Sequence, residues 1–310
     1  MYALEAENLT KIYKNKILAL ENVSFKINKS SCVGYLGPNG AGKTTTIKIF
    51  TNLIRPTKGR AFTNGIDVHE EPKIALKNVG SLIELAGVYE YLTPNELLTY
   101  LGKVYELDSA KLENRISEIL SEVGLSEWAN KKIAIFSTGM HRRLNIAAAL
   151  LHDPEILILD EPALGLDPQG IRDVRELIKH AKNNGKTVLL SSHLLHEVSD
   201  LCDKVILLDR GKILRYESIE NLRKFSKAIK IKIEFLKKLS DKEIELVRNI
   251  DVIKNFRLEN SYGFIEHEGG KEESSLILEK LVFSGLKIVS YQFEEVSLED
   301  IYISILREAK

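Results

Sequence analysis

The hydrophobic pattern changes period several times along the chain, and each change marks a step in its organisation. Residues 2 to about 30 read as β-rich, with strands predicted over Ala3–Asn8, Ile17–Leu20 and Val23–Ile27. The apolar run Cys32–Leu36 reads as a buried strand. Ile47, Phe50 and Ile54 then recur at helical spacing over Thr45–Ile54. A hairpin turn is expected at Asn64-Gly65 and another strand over Val79–Ile83. From Pro94 to about Leu151 the period is helical, carried by Leu97, Leu98, Leu101, Val104 and Tyr105 and then by Ile116, Ile119, Leu120 and Val123. Strands (Ile156–Leu159, Thr187–Leu190, Val205–Leu208) then alternate with helices (Gly170–Lys182, Leu194–Cys202), the pattern of a parallel α/β sheet. The polar stretch 217–227 reads as a linker. Beyond it Ile229, Ile231, Ile233 and Phe235 alternate with charged residues, opening a β-α-β-β-α-β order of ferredoxin-like type with one extra helix, Leu298–Arg307.

Composition narrows the class. The chain has 310 residues, room for one large or two ordinary domains, with 44 basic and 44 acidic side chains. That balance argues against a protein held on nucleic acid by bulk electrostatics. Cys32 and Cys202 lie far apart in sequence, match no zinc or redox spacing and read as small core side chains, which predicts a reduced, intracellular protein. No secretory signal is expected at the N-terminus, and no apolar window is long enough to span a bilayer.

The chemistry concentrates after the Cys32–Leu36 strand. Gly37-Pro38-Asn39-Gly40-Ala41-Gly42-Lys43-Thr44 fits G-x-x-x-x-G-K-[ST] between a strand and a helix, the context that makes this pattern a phosphate-binding loop. Glycines let consecutive backbone N–H groups curl around a phosphate, and the helix N-terminus adds positive partial charge. Lys43 reaches the β- and γ-phosphates, the Thr44 hydroxyl ligates Mg²⁺, and Thr45 follows in the same turn. Downstream, Ile156–Leu159 ends in Asp160-Glu161. A buried strand delivering carboxylates at its C-terminal end suits Mg²⁺ binding by Asp160 and polarisation of an attacking water by Glu161.

Phe136-Ser137-Thr138-Gly139-Met140-His141-Arg142-Arg143, just before a helix, makes the likeness specific: it resembles a degenerate LSGGQ signature of the ATP-binding-cassette (ABC) ATPases. Other landmarks follow suit over residues 2–215. Tyr13 resembles the aromatic that stacks on adenine, Gly37–Thr44 the Walker A loop, and Val79–Glu84 the Q-loop segment. Ile156–Glu161 resembles Walker B, Leu164–Asp167 the D-loop, Ser191-Ser192-His193 the switch histidine, and Asp209–Ile213 the closing turn. The resemblance implies a P-loop NTPase cassette of α/β class over 1–216, with a mixed sheet and a helical subdomain at about 85–152. A C-terminal α+β accessory domain would cover 228–310. It further implies head-to-tail pairing, with Ser137 and Gly139 completing the partner's ATP site, His193 holding the γ-phosphate and the attacking water, and Asp167 among the nucleotide-binding residues.

Some positions depart from the family pattern. Glu84 replaces the usual glutamine, a form similar to the bacitracin and lantibiotic self-protection exporters of the ABC-2 class, and it can still ligate Mg²⁺. Thr138 and Met140 depart from the signature, so only Ser137, Gly139 and Arg143 carry over. His196 reads as a surface residue, Trp128 as a packing anchor, and His152 and His180 have no metal-ligand spacing. The resulting expectation is the ATP- and Mg²⁺-dependent ATPase subunit of an exporter. It would act as a dimer and sit on the inner face of the cell membrane through a separate permease. The alternatives are a soluble ABC ATPase acting on nucleic acid or the ribosome, against which stand the single cassette and the absence of a basic stretch, and an importer ATPase.

Overall fold

Strand β1 (Tyr2–Ile12) pairs antiparallel with β2 (Leu18–Asn28) and with β4 (Lys58–Thr63). The expected break between Ile17–Leu20 and Val23–Ile27 does not occur. Asn22 takes a left-handed φ of 54° and donates its N–H to the Thr10 hydroxyl at 3.1 Å, so a shift in register absorbs the irregularity. Asn64 and Gly65, with φ of 50° and 80°, form the tight turn from β4 into β5 (Ile66–Asp67) that the sequence predicts. The computed structural model describes residues 2–14, 16–83, 89–192, 198–225, 229–267, 270–294, 301–302 and 305–306.

Beneath this layer lies a six-stranded sheet in the order β10-β9-β3-β8-β7-β6. It comprises β3 (Cys32–Leu36), β6 (Val79–Leu82), β7 (Ile156–Leu159), β8 (Thr187–Ser192), β9 (Lys204–Asp209) and β10 (Lys212–Ser218). All neighbours run parallel except the edge pair β9–β10. β3, β7 and β8 are buried along their whole length, which is why they read as continuous apolar runs rather than alternating ones. Helix α1 (Lys43–Phe50) follows β3 and stops before the expected Ile54, where Thr51 Oγ1 donates back to the Ile47 carbonyl and Asn52 adopts φ of 55°. The short α2 (Pro72–Ala75) leads into β6.

The predicted helical stretch resolves into α3 (Pro94–Val104), α4 (Ser109–Glu122) and α5 (Thr138–Leu150). Thr93 and Glu96 form a reciprocal capping box at the start of α3. Trp128 packs edge-on against Phe136, and the His152 ring stacks on Tyr105 at 4.2 Å, so both act in packing. After β7, α6 (Pro168–Asn183) returns the chain to β8. Of the expected helix Leu194–Cys202, residues 194–197 lie outside the described part, while Val198 and Ser199 are helical. Cys32 and Cys202, far apart in sequence, are both buried, with Sγ atoms 3.4 Å apart and no disulfide between them.

The chain divides into two units, 1–219 and 220–310. The stretch expected as a linker holds the end of β10 and a helix, Ile219–Phe225, whose Leu222 is buried. In the second unit, β11 (Ile229–Phe235), β12 (Ile253–Glu259), β13 (Tyr262–His267) and β14 (Ile288–Glu294) form an antiparallel sheet ordered β12-β13-β11-β14. Helices Asp241–Arg248 and Lys271–Phe283 join these strands in the split β-α-β-β-α-β arrangement. Ile231, Ile233, Phe256 and Ile265 pack with Val247, Ile277 and Leu281 from these helices on one face. Of the extra C-terminal helix, Ile301, Tyr302, Ile305 and Leu306 are helical and the other positions lie outside the described residues.

Gly80 sets how closely β6 approaches α5, since a methyl group there would collide with the Ala149 carbonyl oxygen and with Pro154 Cγ. Gly80→Ala should therefore destabilise the cassette by about 1–3 kcal/mol. Urea unfolding followed by Trp128 fluorescence measures this, and an unchanged midpoint would show that β6 can withdraw freely.

Candidate nucleotide site

The loop between β3 and α1 is shaped by what its glycines permit. A Cβ on Gly37 would strike the Leu208 carbonyl oxygen, and one on Gly42 would lie 2.6 Å from Ala19 O. Gly42 adopts φ of 110° as the N-cap of α1, while Gly40, at φ of 81°, faces open space. A side chain at Gly37 or Gly42 would thus push the loop away from the sheet, and the bare backbone at Gly40 leaves its N–H approachable. The loop is also fastened from the far edge. Ala41 N–H donates to Pro38 O at 3.1 Å, and Gly211 N–H, in the β9–β10 turn, donates to Ala41 O at 2.9 Å.

Lys43 is only 6% exposed. Its Nζ donates to Gly37 O at 2.7 Å and Pro38 O at 3.3 Å, and lies 3.3 Å from Glu161 Oε1. A buried ammonium needs such partners, since isolated charge in the interior is very costly. Around it opens a cleft of about 470 Å³ lined by residues that include Tyr13, Asn39, Gly40, Thr44, Thr45 and Glu161. Tyr13 stands at its rim, 39% exposed, with its hydroxyl 3.3 Å from Thr45 Oγ1. An exposed ring beside the first turn of the helix after the phosphate loop is placed to stack on a base.

The two acids after β7 are held by a residue that motif reading had passed over. Ser191 Oγ donates to Asp160 Oδ1 at 2.5 Å and accepts the Glu161 N–H at 2.9 Å. Asp160 N–H also donates to Leu82 O at 2.8 Å, which ties the end of β7 to the end of β6. Glu161 has a left-handed φ of 47°, an uncommon conformation for a non-glycine residue that the Ser191 hydrogen bond helps to hold. The sequence flagged Ser191 only as the residue two before His193; parallel pairing of β7 and β8 is what brings it beside Asp160.

Arg142 is the second residue that sequence reasoning missed. It donates to Leu164 O at 3.4 Å, and its burial lowers its pKa against the attraction of Asp160 and Glu161, which favour its charge. Arg143, which the signature pattern singled out, faces elsewhere: it donates to Val123 O and lies 3.6 Å from Asp173. Two adjacent arginines cannot be told apart by type, and only the phase of α5 assigns them.

Ser137 is the N-cap of α5, accepting the Met140 N–H at 3.3 Å, and Asp167 is the N-cap of α6, accepting the Gly170 N–H at 2.9 Å. A Cβ on Gly139 would come only to 3.9 Å of Leu166 Cδ2, so these two caps belong to neighbouring segments. Ser137, Gly139 and Asp167 are not among the residues lining the cleft. Glu84 and His193 lie outside the described residues.

A glycine loop closing over a helix N-terminus, a buried lysine at its base and paired acids on a parallel strand define a P-loop nucleotide-binding site. Comparison with known proteins agrees. Residues 20–164 match the ABC transporter family model. The chain is 40% identical over 211 residues to the linearmycin resistance ATP-binding protein LnrL of Bacillus subtilis, covering 68% of each chain. It is 33% identical over 304 residues to the bacitracin transport ATP-binding protein BcrA of Bacillus licheniformis, covering 98% of this chain and 97% of that one. Among solved structures it superposes on an ATP-binding subunit of an ABC transporter with TM-score 0.66 and 32% identity, over 72% of this chain and 92% of that one. A cassette in a dimeric post-hydrolysis state with ADP and Pi gives TM-score 0.64 and 28% identity, over 70% and 98%. The chain belongs to the ATP-binding subunits of ABC transporters, a family of ATPases.

Removing the Ser191 hydroxyl leaves an Asp160 oxygen and the Glu161 N–H without their partner. Ser191→Ala should cost about 1–3 kcal/mol of stability. It should lower kcat by about tenfold or more through misplacement of Glu161, with ATP affinity much less affected. Phosphate-release kinetics beside nucleotide titration checks this, and an unaltered kcat would remove Ser191 from the site.

Proposed function

We propose that the chain is the ATP-hydrolysing subunit of an exporter, working as a head-to-tail pair bound to a separate membrane permease. The observation that carries the pairing is that the cleft around Lys43 is lined by Tyr13, the glycine loop and Glu161 but not by Ser137 or Gly139. The N-terminus of α5, capped by Ser137, suits an anion, and a second copy can present it to the γ-phosphate. Asp167, at the neighbouring helix cap, would then lie at the same interface.

In the paired site the loop from Gly37 to Thr45 cradles the phosphates, and Lys43 exchanges its carbonyl partners for β- and γ-phosphate oxygens. Glu161, released from Lys43, polarises the attacking water, and His193 holds the γ-phosphate beside it. The donor chemistry suits Mg²⁺, a hard cation: the Thr44 hydroxyl in the cleft, the Asp160 carboxylate behind it and Glu84 would hold it, directly or through water. Bound there, the ion would neutralise developing charge on the phosphates. The protein's own contribution is placement and electrostatic stabilisation.

Transport out of the cell is supported by the nearly full-length likeness to BcrA and by the sequence form around Glu84. Among the described residues no helix is long and apolar enough to cross a membrane, which suits a subunit that acts through a permease. Tyr89, Tyr91 and Tyr100, at 49%, 68% and 52% exposure, form an edge-to-face cluster with ring centroids 5.9 and 6.4 Å apart. Exposed aromatics grouped in this way on the helical subdomain suit a permease contact that relays closure of the pair.

Glu161→Gln should accumulate an ATP-bound dimer visible by size-exclusion chromatography with light scattering; a variant that stays monomeric with saturating ATP would count against the pairing. Lys43→Ala should lower ATP affinity by about a hundredfold, taking the loss of a charged partner as roughly 2–3 kcal/mol. Equal affinities in a fluorescent-nucleotide titration would refute the role of Lys43.

A further inference from the structure

The open face of the C-terminal sheet carries chemistry that the ATPase does not use. Gly263 faces the helices, where a Cβ would lie 2.7 Å from the Phe235 ring and 2.8 Å from the Phe256 ring. Its neighbours Tyr262 and Phe264 therefore point to the opposite face, on a central strand of the sheet. The register places Arg257 on β12 and Lys232 on β11 directly across from Phe264. Arg257 Cζ is 5.2 Å and Lys232 Nζ 5.9 Å from the Phe264 centroid, and Lys232 Nζ is 5.1 Å from that of Tyr262. One step along the strand, Glu266 accepts from Asn255 Nδ2 at 3.3 Å and lies 3.5 Å from Lys230 Nζ. Phe264, Arg257, Asn255, Glu266 and Lys230 surround a cavity of about 330 Å³.

Some four-stranded sheets, those of RNA-recognition modules, use exposed aromatics to stack nucleobases. Here the cations Lys230, Lys232 and Arg257 are matched on the same face by Glu234, Glu259 and Glu266, so the surface lacks the positive excess that holds a polyanion. The cavity has room for one base and its phosphate. Its polar edge selects among bases: the Glu266 carboxylate accepts only, and guanine alone offers two adjacent N–H donors, N1 and N2, to match it. The Asn255 amide is placed to donate to O6.

We propose that this face of the C-terminal unit binds a free guanine mononucleotide. The base displaces the Arg257 guanidinium from the Phe264 ring and stacks there, its Watson–Crick edge meets Glu266 and Asn255, and its phosphate draws Arg257 from Glu259 and Lys232 from the aromatic rings. The site shares no lining residue with the cleft around Lys43 and does not depend on the transport reading.

The test is calorimetric titration of the full chain with GMP and AMP. The proposal expects GMP to bind wild type and Lys43→Ala alike, and AMP to bind more weakly. Phe264→Ala should lose about tenfold or more in GMP affinity, the range for removal of one stacking ring, while Phe264→Tyr keeps it. Glu266→Gln should bring GMP towards the AMP value. A melting curve and basal ATPase rate for Phe264→Ala close to wild type would show that the loss is local. Failure of wild type to bind GMP, binding abolished by Lys43→Ala but kept in Phe264→Ala, or much tighter and salt-sensitive binding of a short single-stranded RNA would each overturn it.

Discussion

The geometry of the cassette depends on keeping one ammonium group buried. Lys43 is almost wholly out of water, and its charge is tolerated because Gly37 O, Pro38 O and Glu161 Oε1 converge on it. That convergence requires β3 and β7 to end at the same edge of the sheet, a condition set by parallel pairing of both with β8. It requires glycine at 37 and 42, so that the loop can lie against Leu208 and Ala19. It also places Glu161, the proposed water-polarising acid, 3.3 Å from Lys43, the proposed phosphate ligand.

Much of this was legible in the chain. The glycine loop, the Asp160-Glu161 pair and the continuous apolar runs of β3, β7 and β8 are local signals whose spacing carries their meaning. The Asn64-Gly65 turn was readable because a two-residue hairpin demands positive φ at both positions, which these residues tolerate. What stayed hidden depended on contacts across the sheet. Ser191 joins Asp160 and Glu161 only through strand pairing, and the burial of Arg142 rather than Arg143 is a matter of helix phase. The proximity of Cys32 and Cys202 is likewise a tertiary fact, invisible to a spacing rule. At Asn22 the expected break between two strands gave way to one continuous strand with a shift in register.

The C-terminal unit shows the same division of labour on a smaller scale. Alternation over Ile229–Phe235 announced a sheet with one covered face, and β11 buries Ile231, Ile233 and Phe235 against two helices as that pattern requires. Lys232 and Glu234 between them on β11, and Tyr262 and Phe264 on β13, have no part in that core. Their arrangement on the open side is set by register alone, which is why the grouping of Phe264, Arg257 and Glu266 emerges only once β12 and β13 are paired.

The central claim is that a complete ATP site needs two chains, and complementation tests it most directly. Chains carrying Lys43→Ala lack a working phosphate loop, and chains carrying Gly139→Asp present a blocked, negatively charged α5 N-terminus. Each alone should hydrolyse ATP at background rate. Mixed in equal amounts, they should recover a substantial fraction of wild-type turnover, because one of the two sites in a mixed pair is assembled entirely from intact parts. A mixture as inactive as its components would contradict the account and return the whole site to a single chain.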